Sequence, residues 1–354
     1  MAFSIASPPS NVLLRLPVGN AVSSCVDKAS HRLDEFALIE RYFKDLTPQA
    51  GVCLGIGDDA AIVECSADSQ LVIATDTLLE SVHFPADTNA YDIGRRALCV
   101  NLSDLAAMGA KPRWFTLALS LPSRLATEAW FDSLSRGLTD IAASAGCALV
   151  GGDTTRGPLS VTLTLLGEVP VAQALRRDGA MAGDHIYVTG TLGDGAAALH
   201  VLKNEPKRTQ QSRLLEHFYA PKPRVSEGIQ LRGIASACID ISDGLLADLA
   251  HICKLSRVGA EIQCAQLPVH PELRRDFLQQ HQHWALYGGD DYQLCFTVPP
   301  DRQPHVEKLI SAQRLQATAI GTITASKGMD LLDIDGGCEP IGMAEPTLGY
   351  NHFG

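Results

Sequence analysis

Aspartate recurs along this chain wherever an apolar run stops or meets glycine. Asp59 follows Gly57 in G-I-G-D-D-A, and Asp76 closes L-V-I-A-T-D. Asp153 follows Gly151 and Gly152. Asp240 and Asp243 flank Ser242, and Asp290 with Asp291 follows Gly288 and Gly289. Gly and Asp each favour turns, so any single instance signals only a loop. The repetition constrains more. It describes short strands that deliver acids to one edge of sheet structure, where ligands of α/β folds lie. Hard oxygen ligands without nearby Cys or His pairs favour Mg²⁺ or Mn²⁺ over zinc.

The pattern between these acids is that of an α/β chain. Asp34 is placed to cap a first helix in which Phe36, Ile39 and Phe43 recur at helical spacing. A buried strand is expected over 71–76 with Asp76 at its end, a helix over 91–108 closed by Gly109 and Pro112, and a strand over 114–121. A second amphipathic helix follows over 127–145. A-L-V-G-G-D reads as strand then glycine turn, and 159–169 as a long alternating strand. Near Pro170 the pattern restarts with H-I-Y-V-T-G and a helix from about Asp194. The expected division is a flexible extension over 1–33, an N-terminal domain over 34–170 and a C-terminal α/β domain over 171–354. In the second half Ser242 is placed to cap a helix with an apolar stripe of Leu245, Leu246, Leu249 and Ile252.

With 354 residues, 46% of them apolar, the chain can bury a sizeable core. A formal charge of −11 argues against a general nucleic-acid partner. It does not exclude a nucleotide, since a bound cation turns an acidic site into a phosphate site. Ten cysteines without a C-x-x-C pair read as free thiols of a reducing cytosol, so a cytoplasmic location is expected. No apolar run reaches membrane-spanning length. Arg15 and Pro17 interrupt the stretch from Val12 to Val18, which makes a poor signal-peptide core. Residues 1–33 read as a flexible extension or the product of an upstream start codon.

Taken singly, the motifs stay open. G-I-G-D-D-A mimics a dinucleotide fingerprint, but Asp58 and Asp59 would repel a pyrophosphate without a metal between them. The same stretch could be a surface turn with two solvated acids. Asn101 and Asp104 lie three apart on one helix, as a solvated stripe or as part of a site. A Walker-A pattern is missing, as is the protein-kinase signature set.

Together, G-I-G-D-D-A, T-D-T-L followed by His83 and Phe84, N-L-S-D-L-A-A-M-G-A, G-G-D-T-T-R-G, Y-V-T-G-T-L-G-D, I-D-I-S-D-G-L and G-G-D-D-Y-Q-L-C-F resemble the thiamine-monophosphate kinase family in order and spacing, over residues 34–354. That family is similar to aminoimidazole ribonucleotide synthetase, selenophosphate synthetase and a hydrogenase-maturation protein. The resemblance implies a two-domain aminoimidazole ribonucleotide synthetase-like α/β (α+β) fold. It also implies a homodimer in which the N-terminal sheets pair into a barrel. Its implied reaction moves the γ-phosphoryl of ATP onto thiamine monophosphate, giving thiamine diphosphate and ADP with several Mg²⁺ ions.

The resemblance assigns metal binding to Asp59, Ala74 (through its backbone), Thr75, Asp76, Asp104, Asp153, Asp240 and Asp243. ATP contacts fall to Gly152, Asp153, Arg177 and Ser242. Thiamine-phosphate contacts fall to His83, Asp290 and Tyr350. No side chain is assigned as general base, because the acceptor phosphate is already anionic with a second pKa of about 6. One departure concerns position 290, where the family usually has Glu. Aspartate keeps the charge and shortens the reach by about 1.5 Å. The residues leave two rival readings: another ATP-using member of the superfamily, such as selenophosphate synthetase, and a silent metal- or nucleotide-binding protein. Against the first, no Cys-Lys motif stands near the N-terminus. Against the second, every core acid but the altered position 290 is in place.

Overall fold

The computed structural model describes residues 35–44, 50–204, 213–332 and 338–341. The expected extension over 1–33, the cap Asp34 and the site residue Tyr350 lie outside the described residues. The described chain opens with α1 (Glu35–Tyr42) and a short antiparallel pair, β1 (Val52–Leu54) and β2 (Ile62–Val63). β3 (Ser69–Leu79), α2 (Ala90–Ala107), β4 (Lys111–Leu121), α3 (Glu128–Ala145), β5 (Ala148–Arg156) and β6 (Ser160–Pro170) follow. They build a four-stranded sheet in the order β3-β6-β4-β5. β4 and β5 run parallel through the α3 crossover, and the other pairs are antiparallel.

Local chemistry sets the helix ends. The Asn89 side chain accepts the Asp92 N–H to start α2, and Thr127 accepts the Trp130 N–H to start α3. α3 ends at Gly146, whose φ of 69° is the left-handed value that stops a helix at least cost. The two helices cross where Gly94 faces Gly137. A Cβ on Gly137 would lie 2.1 Å from the Tyr91 carbonyl oxygen, so only hydrogen fits there. The sheet face under the helices supplies Phe115, Leu117, Leu119, Val161, Leu163 and Leu165 to a core shared with Leu98, Leu102, Leu134 and Leu138.

The other face differs. β1 and β2 cover it over β4 and β5, where Val52 and Val63 pack on Trp114 and Val150. Over β3 it shows Leu71, Ile73 and Leu79, with Ile73 61% exposed.

The second half contributes β7 (His185–Thr189), α4 (Asp194–Asn204), α5 (Arg213–Tyr219), α6 (Val225–Leu231), β8 (Ala237–Asp240) and α7 (Leu245–Ser256). β9 (Gly259–Gln263), α8 (Pro271–Asp276), α9 (His281–Tyr287), β10 (Leu294–Val298), α10 (Gln303–Ser311), β11 (Ala317–Thr324), β12 (Met329–Leu332) and β13 (Cys338–Ile341) complete it. Its seven-stranded sheet has the order β13-β12-β9-β11-β7-β10-β8. α4 and α7 pack on one face, and α10 lies in the core of the other.

The helix α2 joins the halves. Leu98, Leu102 and Leu105 belong to the first core, whereas Ala106 and Ala107 pack with Leu231 and Leu294 in the second. A helix buried all round is the expected result of such double packing. At its end Arg232 donates to the Gly109 carbonyl and the Leu175 N–H to that of Met108.

Three local expectations change. β3 does not stop at Asp76 but runs to Leu79, because its ladder with β6 continues through Leu79↔Ser160. G-G-D is not a turn: β5 carries it onward beside β4, with Gly152 opposite Leu117. A Cβ on Gly152 would lie 1.9 Å from the Leu117 oxygen, so glycine is what lets the strand pass. Ser242 does not cap α7. Gly244, at φ 123°, is the residue before the helix, and the Asp248 carboxylate accepts the N–H groups of Ser242, Asp243 and Gly244 instead.

Candidate active site

The site residues expected from the sequence fall into three groups. The first lines a cavity of about 590 Å³ at the edge strand β5. Residues 55–61 form one wall and 151–154 another, with Ile39 of α1 and Phe43 just beyond it closing a side. Asp58, Asp59, Gly152 and Asp153 thus share one space. Within the loop the Asp59 N–H donates to Asp58 Oδ1, which occupies part of the Asp58 carboxylate.

The second group lies where β3, α2 and β8 meet. Asn101 Oδ1 accepts the Asp76 N–H and fixes the strand against the helix. The Asp76 side chain hydrogen-bonds Asp104, and Asp240 approaches from the second half. Burial, reinforced by Asp240 and Asp76, pushes the Asp104 carboxyl up to about 8, and Arg177 only partly opposes this. Asp240 is 5% exposed. Burial raises its pKa, while Ser103, donating to Oδ2 at 2.8 Å, and Arg177 pull it down. Arg177 therefore faces the acids rather than open solvent alone. Asp248, which the sequence offered only as one position of an apolar helix, is pushed up to about 8 by burial and then by Asp240 and Asp243. It organises the loop that holds Ser242 and Asp243.

Thr75 belongs to neither group by its side chain. It points to the opposite face of β3 and donates to Thr164 Oγ1 at 3.0 Å. Only the backbone of Ala74 and Thr75 runs beside Asp76. Among the described residues no three His, Cys, Asp or Glu side chains converge at metal-binding distance. The donor chemistry nevertheless suits a hard cation: Asp240 and Asp76 crowd the half-buried Asp104 carboxyl, and oxygen-only ligands match Mg²⁺.

The third group surrounds Arg96, a residue the sequence gave no reason to single out. Its Nη2 meets Asp290 Oδ1 at 2.7 Å and its Nε donates to the His83 carbonyl at 3.0 Å. His83 Nδ1 in turn accepts the Leu79 N–H. Asp290 and His83 thus come together through a shared partner. The neighbouring Asp291 is structural: its two oxygens accept the N–H groups of Gly193 and Gly195 and hold the turn before α4.

Residues 57–169 match the family model for AIR synthase related protein, N-terminal domain, and residues 181–334 that for AIR synthase related protein, C-terminal domain. The thiamine-monophosphate kinase of Escherichia coli is 44% identical over 329 residues, covering 90% of this chain and 98% of its own length. The crystal structure of thiamine-monophosphate kinase from Stenotrophomonas maltophilia superposes with a TM-score of 0.78 at 44% identity, covering 87% of this chain and 98% of that one. A structure of AaThiL complexed with AMPPCP and TMP gives a TM-score of 0.70 at 32% identity, covering 84% and 92%.

Proposed function

The chain belongs to the thiamine-monophosphate kinase family of AIR synthase related proteins, and we infer that it is an ATP-dependent kinase that phosphorylates thiamine monophosphate to thiamine diphosphate. The activity rests on 44% identity over nearly the full length of a kinase of that name, together with a related structure that holds an ATP analogue and TMP. ATP is the co-substrate and ADP the second product.

The mechanism we propose is direct transfer. A terminal phosphate oxygen of thiamine monophosphate attacks the γ-phosphorus of ATP, the bond to the β-γ bridging oxygen breaks, and ADP leaves with that oxygen. The acceptor is ionised near neutral pH, so no side chain has to remove a proton. The difficulty is electrostatic, because two anions must meet in line. Bound Mg²⁺ would screen that repulsion and stabilise charge on the transferring group. Asp76, Asp104 and Asp240 would hold it at the junction of the two halves, with Asp243 and the backbone of Ala74 and Thr75 beside them. Asp59 and Asp153 would serve the cavity at β5, which Gly152 also lines. Arg177 supplies a fixed positive charge beside the acids, and Ser242 an ATP contact from its Asp248-held loop. His83 and Asp290 would bind the acceptor.

The same reading divides the chain at 170/171, which is supported by the two separate sheets and by family matches that end at 169 and resume at 181. It takes the protein to be a cytoplasmic homodimer in which the apolar outer face of β3 pairs with its copy, closing a barrel. Support comes from the exposed Leu71, Ile73 and Leu79 on one strand. No helix among the described residues is long and apolar enough to cross a membrane.

The test is ADP release with Mg²⁺ and ATP, comparing thiamine monophosphate with a panel of small phosphates. Release confined to thiamine monophosphate is expected. Equal release with unrelated phosphates, or none with any, would overturn the assignment.

A further inference from the structure

Arg96 is 2% exposed, yet it carries a charge and spends its guanidinium on three separate segments. Nη2 pairs with Asp290 Oδ1 at 2.7 Å, Nε donates to the His83 carbonyl at 3.0 Å, and Nη1 donates to the Phe218 carbonyl at 2.6 Å. The Phe218 ring lies 3.9 Å from the guanidinium carbon and covers its face. A rigid planar fork of this kind fixes the relative positions of whatever it holds.

Its acidic partner is held from several sides. Tyr292 Oη also donates to Asp290 Oδ1, at 3.1 Å. Asp290 and Tyr292 both have positive φ, 66° and 49°. Non-glycine residues persist there only when their surroundings over-determine them. The backbone supplies part of that: the Asp290 N–H donates to Ser242 O and the Tyr292 N–H to Ile241 O. With Oδ1 taken twice, Oδ2 accepts no hydrogen bond among the described residues, and the side chain keeps 26% exposure.

We propose that Arg96 is the positioning residue of the acceptor pocket: it anchors one oxygen of Asp290, turns the other toward the thiamine moiety, and sets that oxygen in register with His83. The inference rests on the thiamine-monophosphate kinase reading and deepens it. It also accounts for aspartate at a position where a longer acid is expected. The extended arm of Arg96 reaches the shorter side chain, so the two lengths are matched as a pair. Lysine places its nitrogen nearer the helix than arginine does, and glutamate would extend to meet it.

Steady-state kinetics of the full chain test this with Arg96→Lys, Asp290→Glu, the double variant and Tyr292→Phe. Arg96→Lys is expected to raise KM for thiamine monophosphate about tenfold, as loss of a charge-assisted contact should, and to leave KM for ATP within about twofold. Adding Asp290→Glu should bring KM for thiamine monophosphate back to within about threefold of wild type, the sign of coupled residues. Tyr292→Phe, which leaves the guanidinium paired, should raise it about two- to fivefold and gives the same readout if Arg96→Lys fails to fold. The proposal is overturned if the double variant shows the product of the single effects. It is also overturned if KM for ATP rises in parallel, or if Arg96→Lys or Tyr292→Phe keeps the wild-type KM for thiamine monophosphate. Absence of ADP release by wild type with thiamine monophosphate is a separate result, and it would strike the kinase reading itself.

Discussion

Ser103 Oγ donates to Asp240 Oδ2 at 2.8 Å, and this bond ties α2 of the first half to β8 of the second. Both side chains are buried, so water does not replace the bond when it is lost. Ser103→Ala should leave Asp240 less well oriented and more easily protonated. Orienting partners of metal ligands are worth about tenfold or more in metal affinity. The Mg²⁺ concentration for half-maximal activity should rise about tenfold, with KM for thiamine monophosphate unchanged. A Mg²⁺ titration coincident with wild type would show that Asp240 holds no metal.

Asp104→Asn should separate activity from stability. Loss of a negative ligand is expected to lower activity by at least about tenfold. Without divalent cations the same change should raise the melting temperature at pH 8, because it removes a charge that burial penalises first and repulsion from Asp240 and Asp76 penalises further. A gain of 1 kcal/mol is about 2 °C in a chain of this size. The sign follows from a folded pKa near 8 against 3.8. A raised carboxyl favours folding fully below the unfolded value, and that contribution is lost as pH climbs through the folded one. Stability in EDTA should therefore fall between pH 4 and pH 8 in wild type, and less in the variant. Parallel curves in calorimetry would contradict the account.

Asp291→Asn should destabilise the fold without acting selectively on either substrate. An amide offers one oxygen where the carboxylate accepts both the Gly193 and Gly195 N–H groups. One buried donor is left unpaired, at a cost of about 1–3 kcal/mol. Chemical denaturation should register the loss, whereas Asp290→Asn should move KM for thiamine monophosphate instead. A stable Asp291→Asn protein with a selective substrate defect would reverse the two assignments.

Ile73→Asp places a charge in the middle of the exposed strand face and should abolish self-association. Sedimentation should show a dimer for wild type and a monomer for the variant. A monomeric wild type, or a variant that remains dimeric, would move the interface elsewhere.

The helices were legible because periodicity is local, whereas the caps were not: Asp34 lies outside the described residues, and Gly244 rather than Ser242 precedes α7. The range 91–108 predicts α2 to within a residue at each end, and 127–145 predicts α3 to within one. Strand ends were less so. Asp76 looked terminal, yet β6 offers partners as far as Leu79, and that information lies in another segment. The same holds for G-G-D, which continues as strand only because β4 runs alongside. Within the candidate site the acids stand out in the sequence, but their grouping does not. Arg96 and Asp290 are far apart in sequence, and an arginine in a helix carries no local mark of a buried partner. Asp248 was hidden for a similar reason: its three amide donors belong to a loop whose shape depends on Gly244.

α2 carries Arg96 and Asp104 on one unbroken helix, eight residues apart. At 1.5 Å per residue the separation along the axis is about 12 Å, and it is fixed by peptide geometry rather than by how the two sheets pack. On the proposed reading, a substrate held at the Arg96 end would present its reactive phosphate toward the Asp104 end over a set span. The helix would then act as a ruler, and an acceptor of the wrong length would bind out of reach of the acids even if every contact at the Arg96 end were made.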